Sequence, residues 1–423
     1  MRFVSRSFEN QVLLITLKEC AVSNLKMKYH GNLLFVADSV YTKHENEIFG
    51  LRVFGREFFD AYLKVFDTVT ICARVQQVDQ RPKDLPRTDS ERIRFVGLPN
   101  VHGIRWLLGC DTRIRSSIST AAEKADALVS RVPSTTGFIA YHAAKKLRKP
   151  FLAEVVGDPL DSISNYGKGP AFQALGWIYY LRFKRFMKQQ KLASYVSRRI
   201  LGVRYPAADD ALVEEYSSVR LSADRLLQSK AYDAPPKTLQ VLCLLSFLGY
   251  KRHIDLIHAA EILHRAGISF HLHMAGDGPE KSFIVQRCQE LGISDATTFY
   301  GYVADAQELN EIIDRCNVVV VPSAQEGLPR SMLEGMSRGL AATGSEVGGI
   351  PDLARETEVF SLGDVDHLAK ILKRFAGSAK ELSAASEHAI NTARQYTAPI
   401  LEPRRTRMYQ ALANQAGCND AII

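Results

Sequence analysis

Asn317-Val-Val-Val-Val-Pro322 is followed closely by Glu326-Gly-Leu-Pro-Arg-Ser-Met-Leu-Glu334, and together they form the most informative stretch of the chain. The four valines predict a buried strand, and the second run predicts the opening of a helix. Two carboxylates eight residues apart lie a little over two helical turns apart, roughly on one face. A helix start also offers unpaired backbone N–H groups and the positive end of the dipole, which suit an anion.

The same stretch suits a nucleotide sugar as a ligand. The N–H groups and Gly327 can approach a diphosphate, because glycine lets backbone come close without a side chain. One acid can hold sugar hydroxyls while the other holds ribose hydroxyls. For an isolated pair of glutamates, an acidic helix start and an acidic surface residue would be the simpler interpretation.

The segment from Glu326 to Glu334 resembles the E-x7-E signature of family-four retaining glycosyltransferases, which have the GT-B fold. Gly339-Leu-Ala-Ala-Thr-Gly344 and Val347-Gly-Gly-Ile-Pro-Asp352 continue the pattern of this family in order. The resemblance extends from about Leu239 to Leu353 and is weak before that. It implies two Rossmann-like domains that face each other across a cleft.

The resemblance also implies a role for each motif residue. Glu326 would hold donor-sugar hydroxyls, Glu334 the ribose and Lys251 the diphosphate. The backbone that would help to hold the diphosphate comprises Gly327, Leu328, Pro329, Arg330 and Ser331. In this family the leaving phosphate takes the acceptor proton on one face of the sugar, and neither a metal nor a separate cofactor is generally needed.

The chain departs from the family at two positions. The family usually has an arginine five residues before the lysine, where this chain has Ser246, so Arg252 or Arg330 would have to supply the second cation. Many members have a histidine where this chain has Val156. For Lys251 alone, a solvated loop lysine is the simpler interpretation.

Asp158 is the first-domain candidate for the catalytic site. It closes Glu154-Val-Val-Gly-Asp158, a predicted strand end that points into the cleft, and it could hold substrate hydroxyls or polarise the acceptor hydroxyl. Capping of a turn or helix by an Asp before a Pro is an equally weighted alternative. His102 is a further candidate, although an ordinary loop histidine is the better interpretation.

Three further motifs are weak. Gly276-Asp-Gly278 resembles the family's turn beside the nucleotide, and a tight turn without a ligand is the alternative. Asp364-Val-Asp366 matches a metal motif of another transferase architecture, but it lies far from the donor motif and chance explains it better. His271 and His273 share a strand face and have no ligand partners nearby in sequence, so packing is the better interpretation.

Alternating strand and helix patterns predict an α/β protein with parallel sheets. We expect a first domain over residues 1–205, a link over 206–236, a donor domain over 237–380, and a helical segment over 381–423 that returns to the first domain. Within the first domain we expect a strand at Leu33 to Ala37, a polar loop from Asp38 to Gly50, and a basic, aromatic-bearing helix from Gly176 to Arg199.

Charge is unevenly distributed along the chain. Residues 1–200 contain 32 Lys and Arg and 18 Asp and Glu, a net +14, whereas the remainder has a net −6. The first half is therefore expected to face something anionic, such as an anionic membrane surface or a pyrophosphate-linked acceptor. No recognition motif supports nucleic acid. The helix at Gly176 to Arg199 could lie in a membrane interface, or it could pack its aromatics on the sheet with its cations outward.

Composition constrains the cellular location. No apolar run reaches the roughly 18 residues that a spanning helix needs, and Met1 to Cys20 is not a convincing secretion signal. The seven cysteines are scattered without a C-x-x-C pair, as expected for free thiols. We expect a cytoplasmic protein, with a peripheral position on the inner face of the membrane as a further expectation.

The expected activity is transfer of a sugar from a nucleoside-diphosphate sugar to a hydroxyl acceptor, with retention of configuration. A lipid-linked or polysaccharide precursor is the expected acceptor. One alternative is a non-catalytic nucleotide-sugar-binding subunit, which Ser246 and Val156 favour and the intact glutamate pair opposes. An isomerase or phosphorylase of the same fold is a second alternative, because a fold does not fix a reaction.

Overall fold

The chain folds into two mainly parallel β-sheets flanked by helices, which confirms the predicted α/β class. The computed structural model describes residues 31–50, 54–82, 85–100, 111–164, 169–217, 219, 221 and 226–417. The predictions for Met1 to Cys20 and for His102 lie outside these ranges. Among the described helices, none has both the length and the apolar character needed to cross a bilayer.

Eight strands form the first sheet. They are β1 (Asn32–His44), β2 (Glu47–Phe49), β3 (Thr68–Gln77), β4 (Ile93–Leu98), β5 (Ala127–Val132), β6 (Phe151–Val155), β7 (Leu192–Tyr195) and β8 (Leu212–Glu215). Their order is β4-β3-β1-β5-β6-β7-β8, and β2 pairs with β1 as the antiparallel exception. The flanking helices are α1 (Arg56–Leu63), α2 (Thr112–Glu123), α3 (Thr135–Leu147), α4 (Pro159–Ser164) and α5 (Pro170–Met187).

The second sheet is entirely parallel. Its strands are β9 (Leu239–Leu244), β10 (Phe270–Ala275), β11 (Thr297–Gly301), β12 (Val318–Val321), β13 (Ala341–Ser345) and β14 (Val359–Phe360). They are ordered β11-β10-β9-β12-β13-β14. The helices that follow are α6 (His253–Arg265), α7 (Lys281–Glu290), α8 (Ala306–Asp314), α9 (Arg330–Ser337), α10 (Ile350–Leu353), α11 (Val365–Gly377), α12 (Ala379–Arg394) and α13 (Ala398–Gln415).

Two local predictions in the first domain are wrong. The stretch from Asp38 to Gly50 is not a loop, because β1 continues to His44 and forms a hairpin with β2 in which Thr42 pairs with Phe49. This hairpin is only partly buried, so its strands lack an apolar pattern. The helix predicted from Gly176 to Arg199 ends at Met187 and is followed by β7 and by a π-helix over Arg198–Gly202.

The chain crosses between the two sheets at neighbouring positions. Leu221 and Thr397 form a parallel bridge, and the Ala398 N–H donates to the Leu221 carbonyl at 3.1 Å. Helix α12 packs against α9 and β13, whereas α13 packs against α1, β7 and β8. The stretch predicted as a link, residues 206–236, contains β8 of the first sheet. The boundaries of the domains otherwise remain a prediction.

A buried carboxylate anchors α13 to the first sheet. Glu154 Oε1 accepts hydrogen bonds from the hydroxyls of Tyr62 (2.9 Å), Tyr216 (3.0 Å) and Tyr409 (3.1 Å). The Tyr409 ring also stacks on Tyr62, with ring centroids 4.3 Å apart. Because a buried charge is tolerated only when it is hydrogen-bonded, these three hydroxyls account for an acid inside the first domain.

Candidate functional site

The candidate site lies where the strand order of the second sheet reverses. Strands β9 and β12 are neighbours there, although they are far apart in sequence. Lys251 ends a short 3₁₀ turn after β9, and Glu326 follows β12. Open α/β sheets bind ligands at this kind of switch point, outside the carboxyl ends of the strands.

Lys251 and Glu326 form a direct ion pair at this point. Lys251 Nζ lies 2.5 Å from Glu326 Oε1, and the two side chains are only 14% and 10% exposed. The sequence predicted that both residues would contact a ligand, but not that they would contact each other. Together they place a cation and a carboxylate side by side in a largely dehydrated position, where both act more strongly than in bulk water.

Helix α9 begins at Arg330, so the prediction that Glu326 opens this helix is wrong. Pro329 precedes the helix in an extended conformation (φ −71°, ψ 112°), and proline disfavours a helical conformation for the residue before it. Glu326 therefore lies in the loop between strand and helix, while Glu334 lies within the helix. The two acids do not share a helix face.

The beginning of α9 has a geometry that suits an anion. Pro329 provides no side-chain hydrogen bond to the helix, and the first backbone N–H groups of any helix have no partner within it. Leu328 and Pro329 are buried, Ser331 is partly buried, and Arg330 is exposed. Any ligand contact by Leu328 or Pro329 must therefore come mainly from backbone.

Glu334 lines a cavity of about 110 Å³ between α8 and α9. Arg330 and Ser337 project from the same helix into this cavity, and Leu309 and Asn310 of α8 form part of the other side. The cavity offers a carboxylate, a guanidinium and an amide close to the loop that carries Glu326. This is a suitable composition for hydroxyl groups next to an anion.

Gly327 brings the two domains into contact. A Cβ atom added to Gly327 would lie 2.2 Å from the carbonyl oxygen of Val156 and 3.9 Å from a methyl group of Val196. Gly349 makes a similar approach, with its added Cβ 3.3 Å from Ser197 Cβ. These first-domain residues follow β6 and β7, so the carboxyl edges of both sheets border one cleft.

The turn at Gly348 and Gly349 was missed as a part of the site. Gly348 has φ +55°, and a Cβ atom there would lie 2.1 Å from the Glu326 carbonyl oxygen. The Gly349 N–H donates to the Gly327 carbonyl at 2.6 Å. This turn therefore shapes the loop that carries Glu326. The sequence signal for this turn was the pair of consecutive glycines at 348 and 349.

Three other residues that were predicted to bind the nucleotide-sugar donor lie in surroundings unlike those of Lys251 and Glu326. Gly276 has φ +142°, and a Cβ atom there would lie 2.0 Å from the Leu245 carbonyl oxygen, which favours the tight-turn alternative. Arg252 forms two hydrogen bonds to Asp255, at 2.6 and 2.7 Å, so its guanidinium is already paired. Ser246 is exposed in the loop after β9.

Asp158 is buried and fully engaged within the first domain. Its carboxylate accepts from the Leu160 N–H at 2.8 Å, from the Tyr205 hydroxyl and from the Arg204 guanidinium. These contacts favour the capping alternative for this residue. Burial and the neighbouring Asp158 charge raise the pKa of Asp161 to about 7, partly offset by Arg204.

His253 is buried directly beside the Lys251 loop, and it gives a prediction for pH dependence. Its ring stacks on Phe247 with centroids 4.2 Å apart, and burial lowers its pKa from 6.5 to about 4. Between these values the unfolded chain binds more protons than the folded protein, so stability falls as the pH falls from 6.5 towards 4. We expect this residue to account for about 3 kcal/mol of the lost unfolding free energy.

Urea unfolding of the wild type and of His253→Phe at pH 7 and pH 4 measures this contribution, because phenylalanine keeps the stacking and cannot titrate. His264→Phe, at an exposed position of the same helix, is the matched control and should follow the wild type. An equal loss of stability in wild type and His253→Phe would contradict the burial argument.

Comparison with known proteins identifies the part of the chain that carries this site. Residues 224–392 match the family model described as glycosyl transferases group 1. The matched stretch contains the second sheet together with Lys251, Glu326 and Glu334. Protein CapJ of Staphylococcus aureus is similar over a longer range, being 27% identical over 346 residues that cover 81% of this chain and 85% of CapJ.

Solved structures show the same overall fold. Sucrose-phosphate synthase from Thermosynechococcus elongatus has a TM-score of 0.63 at 15% identity, covering 90% of this chain and 99% of that one. Anabaena HepE, solved in complex with UDP-glucose, has a TM-score of 0.60 at 14% identity, covering 92% and 100%. The stretch that matches the family model is therefore one half of a two-domain GT-B fold, as the resemblance implied.

Proposed function

We propose that the protein is a retaining glycosyltransferase that moves a sugar from a nucleoside-diphosphate sugar to a hydroxyl acceptor. The observation that carries this proposal is the Lys251–Glu326 pair at the switch point of a group 1 domain. HepE, which shares the fold, was solved with UDP-glucose, and this supports a donor of the same class. The second domain, proposed as residues 237–380, would bind the donor, and the first, proposed as residues 1–205, the acceptor.

Donor binding would separate Lys251 from Glu326, because each would contact a different side of the reacting bond. Without a ligand, Lys251 and Glu326 neutralise each other at 2.5 Å. With a donor, the Lys251 ammonium would turn to the diphosphate and the Glu326 carboxylate would accept hydrogen bonds from sugar hydroxyls. The N–H groups at the start of α9 would share the diphosphate charge, and Glu334 would hold the ribose in the cavity between α8 and α9.

The reaction breaks the bond between the anomeric carbon and the diphosphate oxygen, and it forms a bond from that carbon to the acceptor oxygen on the same face. The acceptor proton passes to the leaving phosphate, so no strong general base is required. Lys251 and the helix start stabilise the charge that collects on the diphosphate as the bond breaks. The proposal therefore assigns neither a metal nor a separate cofactor.

The contact between the two domains supports the proposal that water is excluded from the bound donor. The loops around Gly327 and Gly349 touch the first-domain loops at Val156 and Ser197, so the two domains close directly over the switch point. Closure would keep water from the donor and limit its hydrolysis. We propose a lipid-linked or polysaccharide precursor as the acceptor and the cytoplasm as the location. In support of the latter, the described cysteines Cys72, Cys243, Cys288 and Cys316 are all free.

Thermal-shift screening with UDP-, GDP- and ADP-sugars tests the proposal. We expect one nucleotide class to stabilise the protein by about 2.7 kcal/mol at a ligand concentration near 100 times Kd. Purified protein with that donor should release the nucleoside diphosphate, and NMR of the product should show an unchanged anomeric configuration. Stabilisation without release, even with acceptor extracts present, would instead support the non-catalytic binding subunit. No stabilisation by any nucleotide sugar would contradict both.

A further inference from the structure

Helix α5 has two different surfaces. Tyr179, Phe183 and Phe186 are buried against the first domain, as expected if the helix packs its aromatics on the sheet. On the opposite side, Trp177, Ile178 and Leu181 are 55%, 60% and 62% exposed. These three residues occupy neighbouring positions of one helical face, so they form a contiguous apolar ridge rather than the singly scattered apolar side chains that are normal on a protein surface.

A cationic groove runs beside this ridge, between α2, α3 and α5, with a volume of about 250 Å³. Its positively charged or titratable lining residues are Arg115, His142, Lys146 and Arg182. Helices α3 and α5 contain no Asp or Glu at all. In the part of the chain that the structure describes, neither Lys146 nor Arg182 has an ion-pair partner. Lys146 and Arg182 therefore bring positive charge to the groove that no ion pair among the described residues offsets.

Local contacts hold two of these groups in place. The Arg182 guanidinium lies over the Phe138 ring, 4.8 Å from its centroid. His142 Nδ1 lies 2.7 Å from the Phe138 carbonyl oxygen, which leaves Nε2 directed away from the helix backbone. Lys146 follows His142 by one helical turn on the same face. A fixed guanidinium, an imidazole and an ammonium are the groups that bind phosphate oxygens best.

The two surfaces are continuous along α5. Arg182 is one helical turn after Ile178 and directly follows Leu181, and the exposed cations Arg185 and Lys188 extend the charge beyond the ridge. A ligand that satisfies both surfaces needs a phosphate next to a hydrocarbon region. An exposed tryptophan beside basic residues is typical of proteins that lie in a membrane interface.

We propose that this face of the first domain, comprising the apolar ridge and the α2–α3–α5 groove, binds the phosphate headgroups of anionic phospholipids at a bilayer surface. The groove holds a lipid phosphate, while Trp177, Ile178 and Leu181 enter the interface. The proposal goes beyond sugar transfer, since it does not depend on the donor site.

Sedimentation with phosphatidylglycerol and phosphatidylcholine vesicles tests this proposal on the full chain. We expect binding to the anionic vesicles only, weakened by 0.5 M salt, because exposed charges are screened. Lys146→Glu combined with Arg182→Glu should lower the partition coefficient at least about tenfold, since each basic residue contributes appreciably near an anionic surface. Trp177→Ser should lower it as well.

Lys237→Glu combined with Lys370→Glu is the matched control, because it makes the same change in net charge at exposed positions of the second domain. Control variants should bind vesicles like the wild type, and every variant should keep its far-UV circular dichroism and its donor-induced thermal shift. Equal losses in both double variants, or unchanged binding of the groove variant, would overturn the proposal. Binding of glycerol phosphate in the groove without vesicle binding would also overturn it, in favour of a soluble phosphate ligand.

Discussion

Replacing Glu326 with alanine is expected to lower kcat/KM for sugar transfer by about 10²–10³-fold, as for loss of a positioned polar group in a preorganised site. The change removes the carboxylate that would hold the donor sugar. It also leaves the Lys251 ammonium in a position that is only 14% exposed and without its 2.5 Å partner. We therefore expect a loss of unfolding free energy of about 1–3 kcal/mol besides the loss of activity.

Initial rates of nucleoside-diphosphate release, together with urea unfolding, separate the two effects. Glu356→Ala is the matched control, because it removes an exposed glutamate of the same domain. Glu334→Ala should act in the same direction as Glu326→Ala, with a larger share of its effect on KM, since it would hold only the ribose. If both glutamate variants fold and turn over at the wild-type rate, the assignment of Glu326 and Glu334 to the donor site is wrong.

Gly327→Ala is expected to lower kcat by about 100-fold, because a displacement near 1 Å in a reacting site has an effect of this size. The added methyl group would lie 2.2 Å from the Val156 carbonyl oxygen, which belongs to the opposite domain. Because the clash is with backbone, it cannot be relieved by a side-chain rotation, and we expect the two domains to separate. The fold of each domain should be little affected, since the contact lies between them.

Gly157→Ala provides a control one residue beyond Val156. A Cβ atom at Gly157 would have no other atom within 4 Å. This variant should therefore keep wild-type kcat, although it lies in the same loop. Small-angle X-ray scattering with bound nucleotide should show a more open shape for Gly327→Ala only. Equal activity of the two alanine variants would show that contact at Gly327 is not needed for turnover.

The parts of the fold that could be predicted have strong local signals. Val318–Val321 is a continuous apolar run, as expected for a central strand covered on both faces, and it is fully buried. By contrast, Leu212–Glu215 is an edge strand with two glutamates, and its sequence resembles a loop. The polar end of β1 was missed for a similar reason, because partly buried pairing leaves no apolar pattern.

The composition of the site could be predicted better than its contacts. Lys251 and Glu326 were each identified from motifs, but their ion pair spans 75 residues and depends on β9 being next to β12. A sequence pattern does not give strand order. Asp158 shows the same limit, since its partner Arg204 is 46 residues away and ties this apparent cleft ligand into an ion pair within the first domain. Arg252 is different, because its partner Asp255 is only three residues away and sequence spacing could have suggested this pair.

A crystal structure with a bound nucleoside-diphosphate sugar tests the central claim most directly. The account predicts diphosphate oxygens within about 3 Å of Lys251 Nζ and of the first N–H groups of α9, with Glu326 on the sugar and Glu334 on the ribose. A donor bound elsewhere, or a bound donor beside which Lys251 and Glu326 remain paired only to each other, would contradict it.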